Sequence, residues 1–217
     1  MPRLSGFQED IRHMDRSSSE IARSIQLARE GRGDLLGELL GEHRNYLRLL
    51  AATCLKREVR GKSDASDVVQ DTLLKAHQRF HQFRGATQSE WMAWLRQILV
   101  NNIADLHRHY AVVGPDETPE VSLEAAMDRS SRILRDMVPA PGPTPSQAAE
   151  QREFAVVLAD ALAELDPEDS ELVILRNLKE LSWNEIAERT QLSPGAARMR
   201  WTRALQRLGP RLKERMS

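Results

Sequence analysis

The sequence contains a single cysteine, Cys54, which excludes an intramolecular disulfide and a metal site built from several cysteines. It also lacks long apolar runs: stretches such as residues 49–55 fall far short of the roughly 20 residues that a membrane span needs. Residues 1–20 are charged throughout and contain no apolar segment of signal-peptide length. We therefore expect a cytoplasmic protein that does not enter a membrane.

An overall charge excess is absent too, because 31 Lys and Arg residues face 32 Asp and Glu residues. The distribution along the chain is uneven. Residues 151–188 carry ten acidic and three basic side chains, whereas residues 189–217 carry eight basic side chains and one acid, Glu214. This reversal indicates that the last helices face a polyanion while the preceding ones do not.

Proline is concentrated in one part of the chain, since six of the ten prolines lie between positions 115 and 145. Residues 111–150 also hold seven acids and three bases, with one plausible short helix at 122–137. Such a composition predicts a flexible acidic linker. We accordingly divide the chain into an amino-terminal extension (1–17), a first domain (18–110), the linker (111–150) and a second domain (151–217).

Apolar residues recur at helical spacing in both domains, and no alternating run of β-branched residues demands a strand. The fold class is therefore all-α, with two small helical domains. Four helices are predicted in the first domain: one capped by Ser17 and Glu20 and ended by Gly31, one from about Asp34 to Leu55, one starting at Ser63 or Asp64, and one from Ser89 to about Tyr110. In the second domain a helix carrying apolar residues from Phe154 to Leu165 is followed by a break at Asp166-Pro167, and Pro167 suits the first turn of the next helix.

Residues 182–208 have the pattern of a helix, a tight turn and a second helix. Ser182 and Glu185 form a capping box for the first helix, and Ser193 followed by Pro194 starts the second. The apolar residues that would hold the two helices together are Ile186, Ala187, Leu192, Ala197, Trp201 and Leu205. This is the pattern of a helix-turn-helix.

The second helix of this motif has a cationic outer side. The residues expected to point outward, together with the cap, are Ser193, Ala196, Arg198, Met199, Arg200, Arg203 and Arg207. An α-helix fits the major groove of B-DNA, and arginine is the side chain that bridges guanine O6 and N7. The alternative is a solvated basic helix in a small bundle.

The third helix of the first domain carries Asp64 at its start and Asp67, Gln70, Asp71 and Leu74 opposite its apolar stripe. A leucine surrounded by acids and amides is typical of a docking surface for a protein partner. The same residues also fit an acidic helix start that complements the helix dipole, with one exposed leucine. The residues by themselves leave both interpretations open.

The fourth helix has Trp91, Trp94, Leu95 and Ile98 on its expected buried side. Its polar side offers a mixture of amides and cations suited to base edges and phosphates: Arg96, Asn101, Asn102, Asp105, Arg108 and His109. An ordinary solvated helix face would have a similar composition.

Three segments together resemble one known family. They are DASDVVQDTLLKA (64–76), the pattern WxxWLxxILxNxxxD (91–105) and the stretch from Leu162 to Leu208. They resemble regions 2 and 4 of bacterial sigma-70 family factors of the extracytoplasmic-function (ECF, group IV) type. The resemblance covers roughly residues 20–110 and 150–210 and lacks the longer region 3 of housekeeping members.

The resemblance implies a non-enzymatic subunit of RNA polymerase that needs no cofactor or metal. The Asp64–Leu74 surface would dock on the β′ clamp helices of core polymerase, and the β flap would be a second contact. The loop from Phe83 to Ser89, with Arg84 and Gln88, and the polar side of the fourth helix would capture the minus-10 element as a single strand. The Ser193–Arg207 helix would read the minus-35 element, and an anti-sigma factor is a further expected partner.

Two residues depart from the family pattern. Gln191 occupies the turn position usually held by glycine, which would strain the turn by about 1 kcal/mol if the backbone is left-handed there. Trp201 replaces a smaller apolar residue. Two other hypotheses are an autonomous two-domain helix-turn-helix regulator and a helical adaptor that binds only protein.

Overall fold

A computed structural model describes residues 19–55, 63–110 and 147–216 of the chain. These three ranges fold into helices and contain no strand, which confirms the all-α prediction. The amino-terminal extension, residues 56–62 and most of the predicted linker, with its predicted short helix at 122–137, lie outside the described residues. Within the same ranges, no helix has both the length and the apolar character that crossing a bilayer requires.

The first half of the described chain contains five helices. They are α1 (19–29), α2 (Gly33–Glu42), α3 (Arg44–Cys54), α4 (Ala65–Arg79) and α5 (Gln88–His109), with a 3-10 turn at Phe80–Gln82. Helix α1 ends as predicted, because Gly31 has a φ of 101° that a residue with a Cβ rarely adopts.

The second half contains α6 (Gln147–Ala163), α7 (Pro167–Val173), a π-helical turn (Ile174–Leu178), α8 (Trp183–Thr190) and α9 (Pro194–Met216). Helix α6 begins four residues before the expected domain start at 151. The reason is local, since Ala148 and Ala149 favour a helix as soon as the last linker proline, Pro145, has passed.

The prediction of one helix from Asp34 to Leu55 is wrong, because the chain breaks at His43 into α2 and α3. His43 has a φ of −97° and a ψ of 2°, and its Nδ1 lies 3.0 Å from the carbonyl oxygen of Leu39. The ring is buried edge-on against Trp91, with 6.4 Å between ring centroids, and burial lowers the pKa of His43. The break between α2 and α3 thus coincides with packing of the His43 side chain. The helical spacing of the apolar residues does not predict this break.

Helix starts follow local capping chemistry. Helix α5 begins one residue earlier than predicted, with Thr87 as its cap: Glu90 N–H donates to Thr87 Oγ1 at 3.2 Å, and Glu90 Oε2 accepts from Thr87 N–H at 3.0 Å. Backbone N–H groups of Ala86 and Thr87 lower the pKa of Glu90 together with the Thr87 hydroxyl. Asp166 and Pro167 open α7 as predicted.

Helix α6 joins the two halves of the molecule. It packs against α3 on one side and against α9 on the other, so most buried side chains of both halves form one continuous core. Leu172, Leu175, Ile186 and Ala197 form a second, smaller cluster under the helix-turn-helix. Asn45 Nδ2 donates to Asp160 Oδ1 across this contact at 2.9 Å. A cleft of about 360 Å³ opens beside it, lined by Leu49 of α3 and Leu162 of α6 among others.

Candidate functional site

The residues at the start of α4 have a structural role of their own. Asp64 caps the helix, accepting from the N–H groups of Ser66 at 2.7 Å and Asp67 at 2.9 Å. Asp67 Oδ2 in turn accepts from the N–H of Asp64 at 3.2 Å. These two carboxylates therefore complete a capping box, and the first turn of α4 is rigid.

The remaining candidates on α4 form an exposed patch one to two turns further along. Gln70 and Asp71 are exposed, and Asp71 pairs with Lys75 at 2.8 Å. Leu74 is 55% exposed although large apolar side chains are normally covered. We call Asp64, Asp67, Gln70, Asp71 and Leu74 the α4 surface.

The loop between the 3-10 turn and α5 is held in place by α1. Arg29 donates through Nη2 to the carbonyl oxygen of Phe83 at 3.1 Å and to that of Gly85, and its guanidinium lies 5.4 Å from the Phe83 ring centroid. A Cβ at Gly85 would lie 2.6 Å from the Phe83 ring. Arg84 is consequently presented at the surface by a fixed backbone.

The polar side of α5 divides into an exposed stripe and buried residues. Exposed candidates are Asn101, Asp105, Arg108 and His109. Gln97, which was not among the predicted site residues, lies on the same stripe and donates to Asn101 Oδ1 at 3.1 Å. Arg108 pairs with Asp105 at 2.7 Å. Steps of three and four residues put these side chains on one helix face, a signal that was available in the sequence.

Three predicted α5 residues are not part of that exposed stripe. Gln88 and Asn102 are 8% and 7% exposed, and Arg96 is half-buried. Asn102 Nδ2 donates to Thr72 Oγ1 at 2.8 Å and its Oδ1 accepts from Lys75, so its amide links α5 to α4. These contacts fix the orientation of α4 and α5 relative to each other, so the amide of Asn102 has a structural role.

The helix-turn-helix is built as its sequence indicates. Ser182 and Glu185 form the capping box, with Glu185 N–H donating to Ser182 Oγ at 3.3 Å and Ser182 N–H to Glu185 Oε2 at 2.8 Å. The Ser182 hydroxyl also donates to Glu185 Oε2, at 2.7 Å, and together with the Ser182 N–H it lowers the pKa of Glu185. Ala196 N–H donates to Ser193 Oγ at 3.2 Å at the start of α9, and Gln191 between the helices is left-handed, with a φ of 57° and a ψ of 23°.

Trp201 of α9 packs against the start of α8 and the π-helical turn. Its ring meets Trp183 edge-on with 5.5 Å between centroids, and its Nε1 donates to Asn177 Oδ1 at 2.8 Å. The guanidinium groups of Arg176 and Arg198 lie 5.0 Å and 5.5 Å from the Trp183 centroid. Arg198 is thus positioned by a cation–π contact at the edge of α9.

Two of the predicted DNA-binding arginines are engaged by acids of α7. Arg200 donates to Asp169 Oδ1 at 2.6 Å, to Asp166 Oδ1 at 3.2 Å and to Glu168. Arg207 Nη1 donates to the other oxygen of Asp169 at 2.8 Å, and Asp169 is only 2% exposed. The hydrogen bond that Arg200 donates to Asp169 is the main reason that the pKa of Arg200 is raised. These contacts hold α9 to α7.

Fewer outward-facing residues of α9 are exposed and not paired with α7 than the sequence predicted. Ala196, Met199 and Arg203 are exposed there, and Arg203 has no ion-pair or hydrogen-bond partner among the residues that the structure describes. Thr202 and Gln206, not selected from the sequence, are exposed on the same helix. We call Ala196, Met199, Thr202, Arg203 and Gln206 the α9 surface.

The described residues contain no group of three or more His, Cys, Asp or Glu side chains that could hold a metal ion. The chain has a capped helix-turn-helix with a cationic second helix, and this motif is joined to a helical bundle with an exposed leucine among acids. This is the architecture of a DNA-binding protein that also has a protein partner. Comparison with known families agrees with this class. Residues 43–111 match the family Sigma-70 region 2, and residues 155–208 match Sigma-70, region 4.

Individual relatives support the same assignment. The chain is 30% identical over 147 residues to the ECF RNA polymerase sigma-E factor of Haemophilus influenzae, covering 66% of this chain and 71% of that protein. It is 28% identical over 183 residues to the RNA polymerase sigma factor CarQ of Myxococcus xanthus, covering 83% and 90%. The RNA polymerase sigma-E factor of Streptomyces coelicolor is 27% identical over 177 residues, covering 80% and 86%.

The chain belongs to the sigma-70 family as an ECF sigma factor. It binds core RNA polymerase and promoter DNA and directs promoter-specific transcription, and it is not an enzyme. The autonomous regulator is not favoured by these matches.

Proposed function

We propose that the α4 surface is the contact of this sigma factor with core RNA polymerase, at the β′ clamp helices. The observation that carries the proposal is that Leu74 is 55% exposed. Gln70 and Asp71 flank it on α4, and the capping box fixes the first turn of that helix. An exposed apolar centre with a polar rim is the usual composition of a protein interface. The β flap is the proposed second contact, made by the second half of the chain.

We assign promoter contacts to two further surfaces. The loop with Arg84 and the exposed α5 stripe of Gln97, Asn101, Asp105, Arg108 and His109 would bind the melted minus-10 strand. The α9 surface would enter the major groove at the minus-35 element, with Ser193 and Arg198 beside it. Gln88, Arg96, Asn102, Arg200 and Arg207 would support these surfaces through the structure rather than form their centre.

The division of the chain into extension, first domain, linker and second domain remains a proposal, as does a cytoplasmic location. An anti-sigma factor is a further proposed partner, supported by the family resemblance. None of these three proposals alters the assignment of the α4 and α9 surfaces.

Co-elution with purified core RNA polymerase tests the α4 assignment. A triple alanine variant at Asp67, Gln70 and Asp71, combined with Leu74→Ala, should abolish the complex because it removes the apolar centre and its polar rim. The matched control replaces Gln26, Glu38 and Glu42, which are exposed residues of similar chemistry on α1 and α2, and should bind like the unaltered protein.

Circular dichroism of each variant verifies that the helices persist. If the α4 variant remains folded and still co-elutes with core polymerase, the α4 surface is not the contact. Promoter binding by the isolated protein at the same affinity as with polymerase would instead support an autonomous regulator.

A further inference from the structure

We propose that Met199 is a specificity-determining residue that contacts the methyl group of a thymine in the minus-35 element, next to a guanine bound by Arg203. The inference rests on the proposed function of the α9 surface and adds which side chains read bases. It also assigns two arginines of the same helix, Arg200 and Arg207, to positioning.

Met199 is an exception on the surface of the described chain. It is 60% exposed, and only one other large hydrophobic residue there, Leu74, is comparably exposed. The rest of the α9 surface is polar, cationic or small. An apolar side chain of this size presented to water on a DNA-facing helix indicates a partner with an apolar group.

The position of Met199 along α9 suits base contact. Ser193 caps the helix and Met199 lies in its second turn, and the amino-terminal residues of a recognition helix are the ones that reach base edges. In the major groove, the apolar group offered by a base pair is the C5-methyl group of thymine. Methionine has a flexible, polarizable side chain that adapts to such a small group.

Arg203 follows Met199 by four residues and therefore lies on the same helix face. Arg200 and Arg207 donate to the buried Asp169, and Arg198 stacks over Trp183. Arg203 has no such contact among the described residues, so its guanidinium is available for a bidentate bond to guanine O6 and N7. Met199 and Arg203 would thus read neighbouring base pairs.

The charge around Met199 selects DNA over an apolar protein as its partner. Residues 189–217 contain eight basic side chains, of which Arg200, Arg207, Arg211 and Arg215 pair with acids between positions 160 and 169. Arg198, beside Met199, and Arg203, one turn further on, have no acidic partner among the described residues and supply the positive charge there. A protein interface usually has a core depleted of charge, whereas phosphates attract a cationic rim. The occupant that fits this surface is a duplex read in its major groove.

The test uses the holoenzyme assembled from core polymerase and the full chain. A minus-35 element is first selected from duplexes randomised upstream of the start site, and each thymine on either strand is then replaced by uracil, which lacks only the methyl group. One thymine should show a roughly three- to fivefold loss of affinity, the size expected for one apolar methyl contact.

Met199→Ala should bind thymine and uracil duplexes equally at that position, while Met199→Leu should keep the difference. Glu214→Ala, exposed at the far end of α9 and outside the α9 surface, is the matched control and should also keep it. Arg203→Ala should relax the preference for a guanine beside the sensitive thymine, while its thermal unfolding midpoint stays unchanged.

Three results would overturn the inference while leaving the proposed function intact: a selected element without a preferred thymine, no uracil effect at any position, or an undiminished uracil effect in Met199→Ala. Each requires a holoenzyme that selects a minus-35 sequence. A holoenzyme that forms but selects no such sequence would overturn the proposed role of the α9 surface, and this inference with it.

Discussion

Two residues show how differently the backbone constrains single positions. At Gly85 the Phe83 ring leaves no room for a Cβ, so glycine is required by packing. At Gln191 the backbone is left-handed with a φ of 57°, and a residue with a side chain occupies a conformation that glycine adopts at lower cost. Strain at this turn, between α8 and α9, was predicted because Gln191 occupies a position usually held by glycine.

Replacing Gln191 by glycine should therefore stabilise the protein. The expected gain in the free energy of unfolding is about 0.5–1 kcal/mol, because relief of the left-handed strain outweighs the added freedom of the unfolded chain. Urea denaturation followed by circular dichroism measures it. Gln191→Ala is the matched control and should give no gain, since alanine keeps a Cβ at this φ; equal stability of the two variants would contradict the explanation.

At the element scale, the cationic side of α9 serves two purposes. One part faces outward through Arg203, and another part fastens the helix to α7 through Arg200 and Arg207. Asp169 is the common acceptor of that attachment and is almost completely buried. Its removal would leave both arginines without their buried partner.

Asp169→Ala should lower the free energy of unfolding by roughly 2–3 kcal/mol, the range for charged hydrogen bonds at a buried acceptor. Promoter binding by the holoenzyme should fall as well, because α9 loses its orientation. Glu168→Ala removes an exposed partner of the same Arg200 and should cost less than about 1 kcal/mol. Chemical denaturation of both variants compares them; similar losses would mean that burial of Asp169 is not what matters.

At the scale of the whole molecule, α6 is the element that both halves share. Its sequence from Phe154 to Ala163 is apolar at every position except Asp160, which is typical of a helix covered on most sides. Ala159 is buried and lies in the cleft wall with Leu49 of α3. Because the core is continuous, the two halves should unfold together in the isolated protein.

Ala159→Glu places a carboxylate in that contact and should separate the two halves. Differential scanning calorimetry of the unaltered protein should show one transition, and the variant should show two, since burying an unpaired charge is strongly unfavourable. Ala163→Glu, exposed on the same helix, is the control and should retain one transition. Two transitions in the unaltered protein would show that the halves are thermodynamically independent.

Features set by neighbouring residues could be read from the sequence alone. The Ser182 and Glu185 capping box, the Asp166-Pro167 helix start, the Gly31 stop and the strained Gln191 turn each depend on a few consecutive residues. Helical periodicity likewise determined the all-α class, and three local segments carried the family resemblance. Short-range sterics and hydrogen bonds suffice for all of these.

Only the tertiary structure decided which polar residues remain available to a ligand. Asn102 is committed to Thr72, thirty positions away, and Arg200 to Asp169, thirty-one positions away. The break at His43 likewise accompanies packing against Trp91, far along the chain. A helix face has the same sequence whether a distant helix covers it or water does, so burial and pairing are settled by contacts that local patterns do not encode.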